Sequence, residues 1–248
     1  MTERALGKSG LSIRPFVLGG NVFGMTADRA ASFAILDRFV ERGGGMIDTA
    51  DVYSAWVPGH KGGESETMMG QWLKASGARD NILIAPKVGM MPGGLKPDRI
   101  REAVKGSLDR LGVDTIDLYF AHKDDPDVPL GEVLGAFAEL VDAGTVRAIG
   151  ASNYSAERLG EAVAEVGKRV ERVVLVAVLD PDRAIADPAR DALACFQHDI
   201  PARELGRVRR HAGEVVVVVA GQQRDLDALT GRAQLREQVG MVRGDGRE

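Results

Sequence analysis

The chain has 248 residues, a length that suits one large α/β domain or two small ones, and its 44% hydrophobic and 27% charged content is ordinary for a globular protein. A formal charge of -4 gives no long-range pull toward nucleic acid or an anionic membrane, and no apolar run approaches the roughly 20 residues of a bilayer span. MTERALGKSG lacks the apolar core of a signal peptide, and Cys195 is the only cysteine, so the expected setting is the cytoplasm, without intrachain disulfides.

Short apolar runs alternate with amphipathic stretches over the first 170 residues. Phe16 to Leu18 reads as a strand ending in Gly19-Gly20. Thr26 is placed to cap a helix that carries Phe33, Leu36 and Val40 on one face and stops at Gly43. Met46-Ile47 is the next strand. Glu64 to Ala75 reads as a helix with Met68, Met69, Trp72 and Leu73 inward. Ile82 to Pro86 follows as a strand. Pro97 suits the first turn of a helix bearing Ile100, Val104, Leu108 and Leu111, which Gly112 ends. Ile116 to Ala121 is a strand, Leu130 to Ala143 a helix, and Val146 to Ala151 a strand. Ser155 caps a last helix with Leu159, Val163 and Val166 on one face. This alternation predicts βαβ units, a parallel run of strands led by a hairpin, and helices outside. Beyond Glu171 the pattern weakens. Val173 to Leu179 and Val215 to Ala220 read as strands, and 202–211 and 225–238 as helices.

Polar residues gather at the carboxyl ends of successive strands, where α/β proteins build their sites. They are Asp48 and Tyr53 in MIDTADVY, Lys87 in ILIAPKVG, His122 in DLYFAHKDDP, and Ser152-Asn153 in VRAIGASN. Each alone has a plainer reading: a turn cap, a rim aromatic, a solvated lysine, a buried histidine, a helix cap. Together they suggest a proton-transfer site beside a pair able to hold a planar amide. No metal is assigned. Arg207, Arg209, Arg210 and His211 read as a solvated helix face, with phosphate binding as the alternative.

Three longer pieces carry a family resemblance: MIDTADVYS followed by GGESETMMGQWL, then GSLDRLGVDTIDLYFAH, then LVDAGTVRAIGASNYS. Residues 1–170 resemble the aldo-keto reductase superfamily, in particular the bacterial members related to potassium-channel β subunits. The resemblance implies an α/β fold, a (β/α)8 TIM barrel of aldo-keto reductase type, incomplete at the C-terminus. Residues 1–170 are then the front part of the barrel. Residues 171–248 form a divergent tail with two further strand-helix units at most and no eighth unit. The family's sixth-strand glutamine, its serine-rich loop after the seventh strand and its late adenosine-phosphate segment find no match in the tail.

The resemblance also implies NADPH as cofactor and a small-molecule aldehyde or ketone as substrate. Tyr53 is then the general acid, Lys87 the ammonium beside it that lowers its pKa, and Asp48 the partner that keeps Lys87 charged. His122 bonds the substrate carbonyl. Gly20, Asn21, Asp48, Ser152 and Asn153 touch the cofactor, and Phe23 and Trp56 wall the substrate pocket. The competing expectation is a non-catalytic chain: a truncated or frameshifted reductase, or a nucleotide-sensing regulatory subunit. Substrate identity and oligomeric state stay open.

Overall fold

A computed structural model describes residues 3–6, 9–14, 17–169, 175–179 and 216–217, all within the unit Met1–Val218. The helices expected over 202–211 and 225–238, Cys195 and the arginines around Arg209 lie outside the described residues.

The chain opens with an antiparallel hairpin, β1 (Arg4–Ala5) and β2 (Ser12–Ile13). Strands and helices then alternate. β3 (Val17–Gly19), α1 (Arg29–Glu41), β4 (Met46–Asp48) and α2 (Glu64–Ser76) come first. A 3-10 turn, Ala78–Asn81, leads to β5 (Leu83–Ala85) and β6 (Lys87–Val88). α3 (Pro97–Leu111), β7 (Ile116–Ala121), α4 (Leu130–Asp142), β8 (Val146–Tyr154) and α5 (Ala156–Arg169) follow. β9 (Leu175–Leu179) and β10 (Val216–Val217) close the series.

Every strand pair after the hairpin is parallel, and neighbours in space are neighbours in sequence: β3-β4-β5, then β6-β7-β8-β9-β10. β5 and β6 are two halves of one stave. Pro86 divides them because it has no N–H for the ladder, while its carbonyl still accepts from the Phe120 N–H at 3.0 Å. β5 therefore pairs with β4 on one side, and β6 with β7 on the other. The sequence shows the apolar run and the proline, but not this change of partner.

All six residues of β7 are buried, which explains a continuous apolar run without alternation. Leu118 and Phe120 join a core with Met46, Ala85, Ala148 and the hairpin's Leu6 and Leu11. Tyr119 and Ala121 join the other core, with Val104, Phe137 and Ile149. The hairpin is thus fastened by two leucines against residues from β4, β5, β7 and β8.

The helices obey their local signals with one shift. Asp28, not Thr26, caps α1, accepting from the Ala31 N–H at 2.8 Å. Both types cap well, and Asp28 wins because the backbone turns helical at Arg29. Ser155 caps α5 as expected, accepting from the Arg158 N–H at 3.1 Å. Trp72 of α2 is 1% exposed, and its indole N–H donates to Asp37 of α1 at 2.8 Å. Among the described residues no helix is long and apolar enough to cross a membrane.

Candidate active site

The loop after β4 lies along the β5–β6 stave. The Thr49 N–H donates to the Ala85 carbonyl at 3.0 Å, and the Asp51 N–H to the Lys87 carbonyl at 3.1 Å. These bonds carry Tyr53 over Lys87. Lys87 Nζ lies 2.5 Å from Asp48 Oδ1 and donates to the Tyr53 hydroxyl at 2.9 Å and the Thr49 carbonyl at 3.0 Å. The Tyr53 hydroxyl donates to Asp48 Oδ2 at 3.1 Å. Three groups from three segments therefore close a triangle of polar contacts.

His122 follows β7 directly. Its N–H bonds the Val88 carbonyl at 2.8 Å, which sets its height beside Lys87. Its ring meets Tyr53 edge to face, with centroids 5.8 Å apart, and its Nδ1 is buried without a partner. Asn153, at the end of β8, takes the left-handed φ of 57° that asparagine tolerates. Its amide donates to the His122 carbonyl at 2.8 Å and Ser152 Oγ at 2.9 Å. The serine-asparagine pair is thus tied to the histidine segment.

Two pocket assignments fare differently. Trp56 is 58% exposed and stands edge-on to Tyr53 at 6.3 Å. Phe23 departs from expectation. It is fully buried in the core with Leu36, Ile47, Met69 and Trp72, because the turn after β3 folds it inward instead of toward the mouth. Gly20 has an internal reason to be glycine: an added Cβ would lie 2.7 Å from the Asp48 carbonyl, which already accepts the Gly20 N–H at 2.7 Å. Asn21 follows it half-buried.

The electrostatics correct one further expectation. Burial, then the Asp48 charge and hydrogen bond, push the Tyr53 pKa well above that of a free phenol. Burial lowers the Lys87 pKa, and Asp48 and then Glu66 resist that fall. The lysine therefore sheds its proton at a lower pH than the phenol does. It cannot draw the resting phenol into ionisation, and Tyr53 waits protonated. Burial, then the Lys87 charge, push His122 down to about 3, so its ring is neutral near pH 7.

Four ionisable side chains beneath this cluster were not singled out as functional from the sequence: Asp51, Glu66, Arg99 and Arg110. One signal was available. Glu66 shares helical spacing with buried Met69, Gly70 and Leu73, so a carboxylate sits on the inward face of α2.

A fold of parallel strands with helices between them and polar residues at the strand ends defines an α/β barrel-type enzyme scaffold. The family model described as "Aldo/keto reductase family" matches residues 15–185, and the chain belongs to that family. The described residues have the family's α/β TIM-barrel type of fold, as an incomplete barrel. The chain is 59% identical over 90 residues to an uncharacterized 11.2 kDa protein in the crtE 3' region of Pseudescherichia vulneris, covering 36% of this chain and 87% of the other. It is 33% identical over 142 residues to the Schizosaccharomyces pombe aldo-keto reductase yakc, whose name carries NADP(+), covering 54% of this chain and 40% of yakc. A solved holo aldo-keto reductase, AKR11C1 from Bacillus halodurans, superposes with a TM-score of 0.61 at 30% identity, covering 88% of this chain and 65% of that one. The chain spans about half or less of the length of other curated relatives it matches, 42% of one and 53% of another.

Proposed function

We propose that the chain is an NADPH-dependent oxidoreductase of the cytoplasm that reduces aldehyde or ketone carbonyls, with Tyr53 as general acid. The observation that carries this reading is the triangle of Tyr53, Lys87 and Asp48, with contacts of 2.5, 2.9 and 3.1 Å, at the carboxyl end of the strands. Family membership and the NADP(+) in a relative's name support the choice of cofactor. Ser152 and Asn153 fit the nicotinamide end, since a hydroxyl and an amide oxygen side by side suit a planar carboxamide that both donates and accepts. Asp48, Gly20 and Asn21 would flank it. When bound, the cofactor supplies a hydride.

The chain's own residues do the rest. Neutral His122 and the Tyr53 hydroxyl bond the carbonyl oxygen and fix its place. As negative charge grows on that oxygen, Tyr53 gives up its proton. The phenolate left behind lies 2.9 Å from the Lys87 ammonium, which stabilises it when the proton has gone. Asp48 holds the ammonium charged and aimed. Trp56 offers an apolar face beside Tyr53. A high resting pKa suits a general acid of this kind, because the phenol is fully loaded before the reaction and its partner cation acts as the proton leaves.

The test is a panel of aldehydes and ketones offered to the full chain with NADPH. Alcohol should form in step with NADPH consumed. A folded protein that consumes no NADPH with any carbonyl, across a wide substrate range, contradicts the reading.

A further inference from the structure

We infer that Thr49 and Ser65 are positioning residues, joined by a hydroxyl-to-hydroxyl bond that fixes the backbone carbonyl receiving the third proton of the Lys87 ammonium. The inference rests on the reading of Tyr53 as acid and Lys87 as its supporting cation.

An ammonium has three protons to place. Those of Lys87 meet Asp48 Oδ1 at 2.5 Å, the Tyr53 hydroxyl at 2.9 Å and the Thr49 carbonyl at 3.0 Å. The first two acceptors are side chains of the proton-transfer triangle. The third is a backbone oxygen, and its aim depends on how Thr49 is held. Thr49 is 0% exposed. Its N–H donates to the Ala85 carbonyl of β5 at 3.0 Å. Its Oγ1 lies 2.9 Å from Oγ of Ser65, in the first turn of α2. The direction of that bond follows from Ser65. A hydroxyl has one proton, and Ser65 gives its own to the Gly20 carbonyl at 2.7 Å. Thr49 is therefore the donor and Ser65 the acceptor.

Ser65 is also fully buried, and both bonds of its hydroxyl cross to other segments. The clamp closes on itself. The Gly20 N–H donates to the Asp48 carbonyl at 2.7 Å, the Gly20 carbonyl takes the Ser65 proton, and Thr49, next to Asp48, supplies Ser65. The turn after β3 and the lysine's carbonyl acceptor are thus held as one unit. Stability alone is a weak reason for it, because a hydroxyl pair taken out of water returns only a modest net gain. The lysine gives a stronger one. A neutral amine has two protons and a lone pair, so one of the three acceptors would go unserved. A carbonyl held in place therefore favours the ammonium and fixes its direction beneath Tyr53.

The groups facing Lys87 are Asp48 from β4, Tyr53 from the loop after it, neutral His122 from the end of β7 and, from α2, Glu66, which is paired with Arg110. Thr49→Val keeps all of them and nearly the same volume, and removes only the hydroxyl. The carbonyl then loses its fixed aim. The Lys87 titration should move to lower pH by roughly 0.5. kcat should fall roughly tenfold, with KM and the NADPH dissociation constant within about twofold. Thr49→Ser keeps the hydroxyl and loses the methyl, and should hold kcat within about threefold of the parent. A role in packing alone predicts the reverse order, because the lost buried methyl is the larger packing change.

The experiment follows Lys87 in full chain labelled with 13Cε-lysine, its resonance assigned by loss in Lys87→Met. It is run beside kcat for the parent, Thr49→Val and Thr49→Ser. A lower Lys87 midpoint in Thr49→Val, restored in Thr49→Ser, supports the inference. An unmoved midpoint in Thr49→Val overturns it, as does a midpoint lowered equally in Thr49→Ser. Ser65→Ala breaks the same bond from the side of α2 and is read by the same rule where Thr49→Val does not fold. Failure of both to fold assigns the pair to holding the strands and overturns the inference. A parent chain that reduces no carbonyl defeats the proposed function, while the Lys87 resonance, read without turnover, still decides this inference.

Discussion

The barrel strands carry an aspartate among cations at each end, and the two sites are built to opposite ends. At the amino end, Asp117 of β7 is 1% exposed and held by three donors: it accepts from the Ile84 N–H at 2.9 Å, Arg79 at 3.0 Å and Arg147 at 2.8 Å. It pins the start of three staves together. At the carboxyl end, among the described residues, the Asp48 carboxylate meets Lys87 and Tyr53, and the side chain keeps 17% of its surface. The same residue type serves as a rivet where buried donors hold both oxygens and as a working group where mobile protons adjoin it. The fold explains why: the loops that lift groups away from the ladder follow the carboxyl ends.

Breaking the rivet should unfold without poisoning. Asp117→Ala leaves two arginines without their carboxylate and should cost roughly 3–5 kcal/mol by urea denaturation. The folded fraction should retain its kcat. Breaking the working site should do the reverse. Lys87→Met should lower kcat by roughly 100-fold or more, the scale of losing proton-transfer support, with a smaller effect on the urea midpoint.

A third probe lies between the two ends. Burial, then the Glu66 charge, raise Asp51 from 3.8 to about 6, and Arg99 and Arg110 only partly reverse this. The folded chain thus holds more protons than the unfolded one in that window. The contribution of Asp51 to stability is present below pH 3.8 and is lost as pH rises through about 6. Urea midpoints measured across the window should fall with rising pH through this group, and Asp51→Asn should remove that component. The smallest effect belongs to neither site: Asp28→Ala removes the α1 cap and should cost about 1 kcal/mol in the same assay.

Much of this was legible in the chain. The strand-helix alternation survives almost element for element, because 3.6-residue spacing and short apolar runs are local signals. Ile116–Ala121 falls where its residues predict, and the tail strands appear within their expected windows as β9 and β10. Asp48, Tyr53, Lys87 and His122 are brought together as their positions after successive strands suggested. What was not legible depends on contacts between distant segments. Phe23 turns inward because core space opens between α1 and α2. The Tyr53 phenol is raised because burial disfavours its ionised form and the charge and hydrogen bond of Asp48 add to that. Arg110 meets Glu66 across 44 residues of sequence, and neither residue alone marks the encounter.

A protonated Tyr53, held between Asp48 and Lys87, is the proposed source of the proton in carbonyl reduction. Tyr53→Phe removes one oxygen and leaves the ring contacts with His122 and Trp56 in place. The decisive measurement is kcat and NADPH affinity for this variant beside the parent chain. The expected result is a fall in kcat of about 100-fold to 10,000-fold with the NADPH dissociation constant within about twofold. Equal kcat values for the two proteins would contradict it.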